Sequence, residues 1–236
     1  MSETLPEISV IIPTLNEEKC IGDTIGRLSD SKVRFELIVV DADSRDRTRE
    51  IAVEQGARVI STSIASRAHQ MNRGSREAKA PILCFLHADT LPPNSFLETI
   101  SKNVDLNGVE VGCFRYKFNT TRRSLQFNAW CTRLPFMMFR GGDQSLFISR
   151  NLFDKLNGFD ETMAVMEDYD IIRRAKAHAD FHILPDYMLV SARKYEHNSY
   201  VRVNLSNFLV FSLFYLGVDT SKLKRWYYRL LRHPKE

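Results

Sequence analysis

Ile8-Ser9-Val10-Ile11-Ile12 is a short, largely β-branched run halted by Pro13 and followed within a few residues by Asn16 and Glu17. A run that is apolar at nearly every position, instead of alternating, is the pattern of a strand buried on both faces in a parallel sheet. The pattern recurs outward from this point. Asn16 is placed to cap a helix whose Ile21, Ile25 and Leu28 share one face. Phe35-Glu36-Leu37-Ile38-Val39-Val40 is a second buried strand, ending at Asp41. Residues 48–55 read as a helix with Gly56 as its C′ residue, and 57–60 as a third strand. A helix over about 65–78 ends before Pro81, and a fourth strand over 82–86 ends at His87. Strand and helix alternating at this rhythm predict right-handed crossovers and an α/β fold, a mostly parallel sheet flanked by helices. The second half is less regular: strands over 109–118 and 144–148, a helix over 122–132, and a helix from Glu167 with Ile171, Ile172 and Ala175 turned inward.

With 236 residues, 44% hydrophobic and 26% charged, the chain fits one domain over 1–236, with 199–236 as a C-terminal helical extension. A net charge of +4 suits anionic ligands such as nucleotide phosphates and equally a plain solvated surface; a nucleic-acid partner is not expected. Cys20, Cys84, Cys113 and Cys131 show no CxxC spacing, which argues against zinc or a disulfide framework and for a reducing compartment. The first ten residues lack a basic and an apolar signal region, and the apolar stretch over 208–218 falls short of the roughly 20 residues a bilayer requires. A cytoplasmic protein is expected, with contact at the inner face of the membrane left open.

In such sheets ligands bind beyond the carboxyl ends of the strands. Three polar clusters stand there: Asn16-Glu17, residues 41–46, and residues 87–90. His87-Ala88-Asp89 is the sharpest. Residues two apart in extended backbone point the same way, so His87 and Asp89 can reach one divalent cation bridging the phosphates of a nucleotide diphosphate. An imidazole with a carboxylate suits Mn²⁺ better than Mg²⁺. The alternative makes Asp89 the cap of a helix following Pro92-Pro93. In the second cluster a carboxylate can accept from a uracil N3–H or a ribose hydroxyl; Asp41, ending an apolar strand, is the candidate, while Ser44 and Asp46 are expected to cap the next helix. Arg67, Arg73 and Arg76, with Gln70 and Asn72, form a basic, polar stretch suited to phosphate oxygens, with Arg76 reading equally as a solvated face. Glu167-Asp168 opens a helix, where the macrodipole favours acids without any catalytic task, yet one of them can also serve as a general base. Gly141-Gly142-Asp143-Gln144 is a turn whose glycines permit close backbone approach.

Taken in order, these stretches resemble the family 2 glycosyltransferases of GT-A fold. The likeness rests on residues 9–18 and 38–48, on Asn72-Arg73-Gly74, on Phe85-Leu86-His87-Ala88-Asp89-Thr90, on Gly158-Phe159-Asp160 and on Glu167-Asp168-Tyr169-Asp170. It covers roughly 8–190, and FLHADT with GGDQ and SAR resembles the radical-SAM/selenodomain-associated subgroup. The resemblance implies a nucleotide-sugar site built by Pro13, Glu17, Asp41 and Asp43, with Asp89 as metal ligand, Asp168 as base, and inversion at the anomeric carbon. The full expected set adds Thr14, Arg67, Gln70, Asn72 and Ala88 on the donor side, His87 at the metal, Glu167 beside the base, and Gly142, Asp143 and Gln144 at the acceptor. The family's DxD is HxD here, and its Asp-Asp-Gly-Ser is Asp-Ala-Asp-Ser.

A UDP-sugar is the favoured donor, and the acceptor is open between a small molecule and a lipid-linked one. Residues 204–232 are apolar and then basic-aromatic, which fits a helix on an anionic membrane, a cover over the acceptor side of the cleft, or a homodimer contact. His197 reads as a surface or core histidine before a metal ligand. Two rivals stand beside the transferase. A nucleotidyltransferase would want a glycine-rich phosphate loop that 12–15 lack. A non-catalytic nucleotide-sugar-binding or membrane-adaptor protein fits less well with both Asp89 and Asp168 present.

Overall fold

Strands β1 (Ile8–Thr14), β2 (Phe35–Asp41), β3 (Arg58–Ser61) and β4 (Ile82–Phe85) lie side by side as β3-β2-β1-β4, all parallel. The computed structural model describes residues 5–231, so Arg232 and the remainder of the C-terminal extension lie outside the described residues. The sheet continues through β7 (Leu146–Ser149), β6 (Val111–Phe118), β8 (Phe181–Val190) and β5 (Thr90–Leu91). In this second half only β6 and β8 pair in parallel; β4–β7, β7–β6 and β8–β5 are antiparallel. The sheet is therefore mixed, and its parallel part is the part legible as alternating strand and helix.

Burial on both faces follows from that first run. Ile8, Val10 and Ile12 point to one side, where they pack with Ile21 and Ile25 of α1 (Ile21–Gly26) and Phe96 and Ile100 of α4 (Phe96–Asn107). Ile11 points to the other, against Met71 of α3 (Arg67–Glu77) and beside Ile171 of α7 (Glu167–Ala175). Each such side chain removed from water contributes about 1.5–3 kcal/mol. The approach of α3 is set by Gly74, where a Cβ would come within 2.5 Å of Ile11 Cγ2.

Several boundaries differ from expectation. Pro13 lies inside β1, opposite Val40. Ile11 O accepts from Leu86 N, so the backbone of Pro13, two residues on, faces the side where β4 has already ended and no N–H is needed. Asn16 does not cap α1, which begins at Ile21 after Cys20; it has φ 54 and bonds across to the second loop. Neither Ser44 nor Asp46 is the cap of α2 (Thr48–Glu54), whose N-cap is Arg47; Asp46 Oδ1 accepts from Thr48 N at 3.1 Å from just ahead of the helix, and Ser44 is engaged elsewhere. Gly56 is left-handed at φ 83, as a C′ residue. Asp89 is no helix cap: α4 starts after Ser95. Strand β8 carries Pro185-Asp186, which fall in a register shift between Phe114↔Leu184 and Arg115↔Tyr187, where Pro185 has no ladder bond to make.

Two helices, α8 (Tyr200–Tyr215) and α9 (Thr220–Leu230), form a C-terminal hairpin. The remaining helices are α5 (Arg123–Cys131) and α6 (Arg150–Lys155). Among the described residues no helix is long and apolar enough to cross a membrane.

Candidate active site

The carboxyl ends of β2, β1 and β4 are neighbours in the sheet, so the three polar clusters share one rim. Asp41 ends β2 fully buried. Its Oδ2 accepts from Thr14 Oγ1 at 2.9 Å and Ser44 Oγ at 2.5 Å, its Oδ1 from Ser44 N at 2.9 Å, and Arg49 Nε lies 3.8 Å away. A buried carboxylate is costly unless it is satisfied in this way. Ser44 Oγ accepts in turn from Asn16 N at 2.8 Å, Asn16 Oδ1 accepts from Arg45 N at 2.9 Å, and Glu17 N donates to Thr48 Oγ1 at 2.8 Å. Gln70 Nε2 donates to Thr14 O at 2.9 Å and Val40 O at 2.7 Å, clamping β1 to β2. These residues make a rigid frame between two loops, with half-buried Pro13 and exposed Asp43 at its open edge; Asp43 is held at φ 54. Asn72 points away from this rim. Its amide bonds Phe159 N and O, docking α3 on the Gly158-Phe159 turn. Arg73 and Arg76 sit in ion pairs with Glu77 and Glu161.

At the end of β4, Ala88 O accepts from Thr24 Oγ1 at 2.7 Å, fixing the backbone between His87 and Asp89. His87 is nearly buried, with Nδ1 3.4 Å from Asp143 Oδ1. Desolvation pulls the imidazole down, but the Asp143 contact and the carboxylates of Asp168 and Asp143 outweigh it, and the pKa is raised. Asp143 experiences the reverse: desolvation pushes it up, while His87, Arg67 and Lys194 hold it well below the usual carboxylate range. Asp143 still exposes 61% of its side chain, so the pairing lies at the mouth of the site and not in its floor.

Gly142 joins the two halves. A Cβ there would stand 2.2 Å from His87 Cε1, 2.4 Å from His87 Nε2 and 2.5 Å from Asp168 Oδ2. The end of β4 and the first turn of α7 therefore meet across one glycine. Burial first, and the Glu167 carboxylate second, push Asp168 up to about 6, against the pull of His87 and Arg67. Arg67 opens α3 with an exposed side chain whose inner face is crowded; desolvation opposes its charge, but Glu167, Asp168, Asp143 and Asp89 together raise its pKa. A carboxylate whose proton affinity is brought towards neutrality, beside a cation, is the chemistry of a general base.

Among the described residues no three His, Cys, Asp or Glu side chains converge in a preformed metal cage. The donor set still suits a cation shared with phosphates. Half-buried Asp89 has no hydrogen-bond or ion-pair partner among the described residues, and Asp143 takes Nδ1 of His87, leaving Nε2 as the free nitrogen of the neutral ring. Gln144 and Ser145 follow Gly142 and are buried, yet both amide atoms of Gln144 and the Ser145 hydroxyl lack partners; Ser145 is also left-handed at φ 51. Such groups await a polar ligand or water. His197 is exposed.

Sequence reasoning missed Arg193 and Lys194, in a 3-10 turn (Arg193–Tyr195) after β8. Lys194 bonds Tyr227 of α9 and lies over its ring at 4.7 Å, with its pKa lowered by desolvation against the pull of Asp143. Arg193 reaches Cys20 Sγ at 3.6 Å, at the start of α1. The signal available was the basic pair itself, following a strand obscured by Pro185. A separate groove of about 730 Å³, lined by Ile25, Phe35, Gln55 and Arg58, lies at the opposite end of β2 and holds none of these groups.

The chain is similar to several known proteins. A Staphylococcus haemolyticus 4,4'-diaponeurosporenoate glycosyltransferase is 39% identical over 94 residues, 37% of this chain and 25% of that protein. S. aureus TarS (1–349) in complex with UDP-GlcNAc superposes with TM-score 0.66 at 19% identity, covering 79% of this chain and 59% of TarS. The Pyrobaculum calidifontis mannosyltransferase PcManGT, in complex with GDP-Man and Mn²⁺, also gives 0.66, at 20% identity over 88% of this chain and 63% of that one. The chain spans less than half the length of the curated relatives it matches. These structures share its GT-A fold, and the model of glycosyl transferase family 2 matches residues 9–168, about two thirds of the sequence, so the chain belongs to the family 2 glycosyltransferases.

Proposed function

We propose that the protein transfers a sugar, with inversion, from a nucleoside-diphosphate sugar to an acceptor hydroxyl, as a single domain over 1–236 with 199–236 as its helical extension. The observation that carries this reading is the meeting of His87 Nε2 and Asp168 Oδ2 across Gly142, with Asp168 raised to about 6. Asp168 takes the proton of the acceptor hydroxyl. The oxygen forms its bond to the anomeric carbon from the face opposite the diphosphate, whose bond to that carbon breaks in the same displacement. Glu167 supports this by keeping Asp168 basic, and Arg67 places a cation beside the reacting groups.

Asp89, with His87, would hold a divalent cation, for which Mn²⁺ is favoured over Mg²⁺ by the nitrogen–oxygen donor set. When bound, that ion neutralises charge on the departing diphosphate. Donor recognition falls to Pro13, Thr14, Glu17, Asp43 and Ala88 on the frame organised by Asp41 and Gln70, with Asn72 supporting α3. A UDP-sugar is favoured, since the carboxylate edge after β2 can accept from uracil N3–H. Gly142, Asp143 and Gln144 border the acceptor, a small molecule or a lipid-linked one. FLHADT, GGDQ and SAR support placement in the radical-SAM/selenodomain-associated subgroup, and the four free thiols favour a cytoplasmic setting.

The test is incubation with Mn²⁺ and a panel of nucleotide-sugars, reading released nucleotide diphosphate. Turnover that is lost in Asp89→Ala and Asp168→Asn, with melting temperature retained, supports the enzyme. Donor binding with no turnover on any acceptor would replace it with a binding module.

A further inference from the structure

The C-terminal hairpin presents apolar side chains to solvent that no part of the described chain covers. On α8, Val201, Leu205, Phe208 and Leu216 are 70%, 63%, 55% and 77% exposed, at a spacing that keeps them along one side of the helix. Neighbouring α5, tied to α8 by Asn128 Nδ2 to Asn204 Oδ1 at 2.9 Å, exposes Phe127 and Trp130 as a stacked pair. A run this large on a single surface marks an interaction site.

The charge around it is one-sided. Residues 111–142, which contain α5, carry six Arg or Lys, of which Arg140 is buried, and no Asp or Glu. Residues 193–231 carry seven against two acids, in a chain whose net charge is only +4. Arg202, Lys222, Arg225 and Arg229 are exposed on the hairpin itself. Apolar side chains flanked by cations match the headgroup boundary of an anionic bilayer, where the apolar face sinks and the cations meet lipid phosphates. A second copy of this chain would bring the same cations against each other.

The hairpin is also joined to the candidate active site. Phe211 of α8 packs on Tyr169, next to Asp168, with ring centroids 5.7 Å apart. Thr220 Oγ1 accepts from Ala164 N at 3.1 Å just before α7, and Tyr227 bonds Lys194. We infer that the α8–α9 hairpin, with α5, is a docking surface for an anionic bilayer, holding the cleft at the lipid boundary. On the transferase reading, the cleft is thereby presented to hydroxyl acceptors carried in that bilayer.

Flotation with vesicles of phosphatidylcholine alone, and with 30% phosphatidylglycerol, tests the surface in the full chain. The expected result is binding to the anionic vesicles that weakens with salt, and little to the neutral ones. Arg225→Glu/Arg229→Glu should lower partitioning by about fivefold for each cation removed, and Leu205→Gln/Phe208→Gln by about tenfold or more. Both pairs should leave melting temperature and solution release of nucleotide diphosphate unchanged, which separates failure of docking from failure of the transferase reading. Absence of vesicle binding, or light scattering that shows a dimer dispersed by Leu205→Gln/Phe208→Gln while vesicles are ignored, overturns the inference.

Discussion

Gly142→Ala isolates the junction on which the catalytic reading depends. A Cβ at this position would lie 2.2 Å from His87 Cε1, against about 3.5 Å for a relaxed carbon contact. The imidazole or the loop must therefore give by roughly 1.3 Å, and Asp168 Oδ2, at 2.5 Å, blocks retreat on the other side. A misplacement of about 1 Å at reacting groups costs on the order of 100-fold in rate, or about 2.7 kcal/mol of barrier. The loss falls in kcat where the methyl displaces Asp168 and in donor KM where it displaces His87, which the proposal places at the cation beside the diphosphate. Steady-state release of nucleotide diphosphate, with donor varied, gives kcat and KM separately. Gly26→Ala is the matched control: nothing stands within 4 Å of its Cβ at the end of α1, so the same methyl should leave activity alone and stabilise by up to about 1 kcal/mol. A Gly142→Ala enzyme within twofold of the parent in both kcat and donor KM would refute the reasoning, since the two side chains would then have room that the structure denies them.

Asp168 gives a pH signature. As the base it must be ionised, so kcat/KM should fall about tenfold per unit below about pH 6. Its folded pKa lies above the ordinary 3.8, so the folded state binds the extra proton between those values and stability declines as pH rises through that window. Asp168→Asn should remove activity and also remove that decline, about 3 kcal/mol between pH 4 and 7, when urea unfolding of the two proteins is compared. Asp41→Ala strips three hydrogen bonds from a fully buried site and should cost about 3–5 kcal/mol in urea unfolding; a loss under 1 kcal/mol would show that the two loops stand without it. Gly74→Ala should cost about 1–3 kcal/mol with kcat intact, because Ile11 Cγ2 lies 2.5 Å from the new Cβ, in the core and away from the rim.

The half of the fold that could be read from sequence is the half built of local repeats. Buried parallel strands separated by helices leave unbroken apolar runs, and β1 to β4 appeared at nearly their true bounds. Pro13 misled because the stop signal is real only where a ladder bond is required, and β4 ends too early to require one. Strand β8 stayed hidden because Pro185-Asp186 interrupt it, an interruption the register shift absorbs. Asn16 and Ser44 are residues that cap helices, and here they bond loop to loop; spacing along the chain carries no information about a partner 28 residues away. His87, Asp89 and Asp168 stood out in the sequence as candidates, whereas the pairing of His87 with Asp143 depends on where an irregular turn comes to rest. Lys194 and Tyr227 meet only after the hairpin folds back.

The two sides of the cleft differ in how their polar groups are satisfied, and the difference bears on catalysis. At the ends of β1 and β2 Asp41, Thr14, Ser44 and Gln70 bond one another, so on the proposed reading a donor meets a preformed frame. On the reacting side Asp89 stands without a bonded partner, Asp168 is held towards its neutral form, and Gln144 and Ser145 are buried with unmet hydrogen bonds. Each unmet buried group costs about 1–3 kcal/mol in the empty protein. Water or substrate groups relieve that cost, and on the proposed reading the substrate groups do so as charge develops. Interactions that strengthen as the reaction proceeds lower the barrier, whereas those already complete in the resting protein only fix position. Left-handed residues stand on both sides of the cleft: Asn16 and Asp43 at φ 54 in the loops after β1 and β2, Ser145 at φ 51 after Gly142, and Met166 at φ 71 just before Glu167-Asp168. What sets the reacting side apart on the proposed reading is therefore its unmet polar groups and not its backbone.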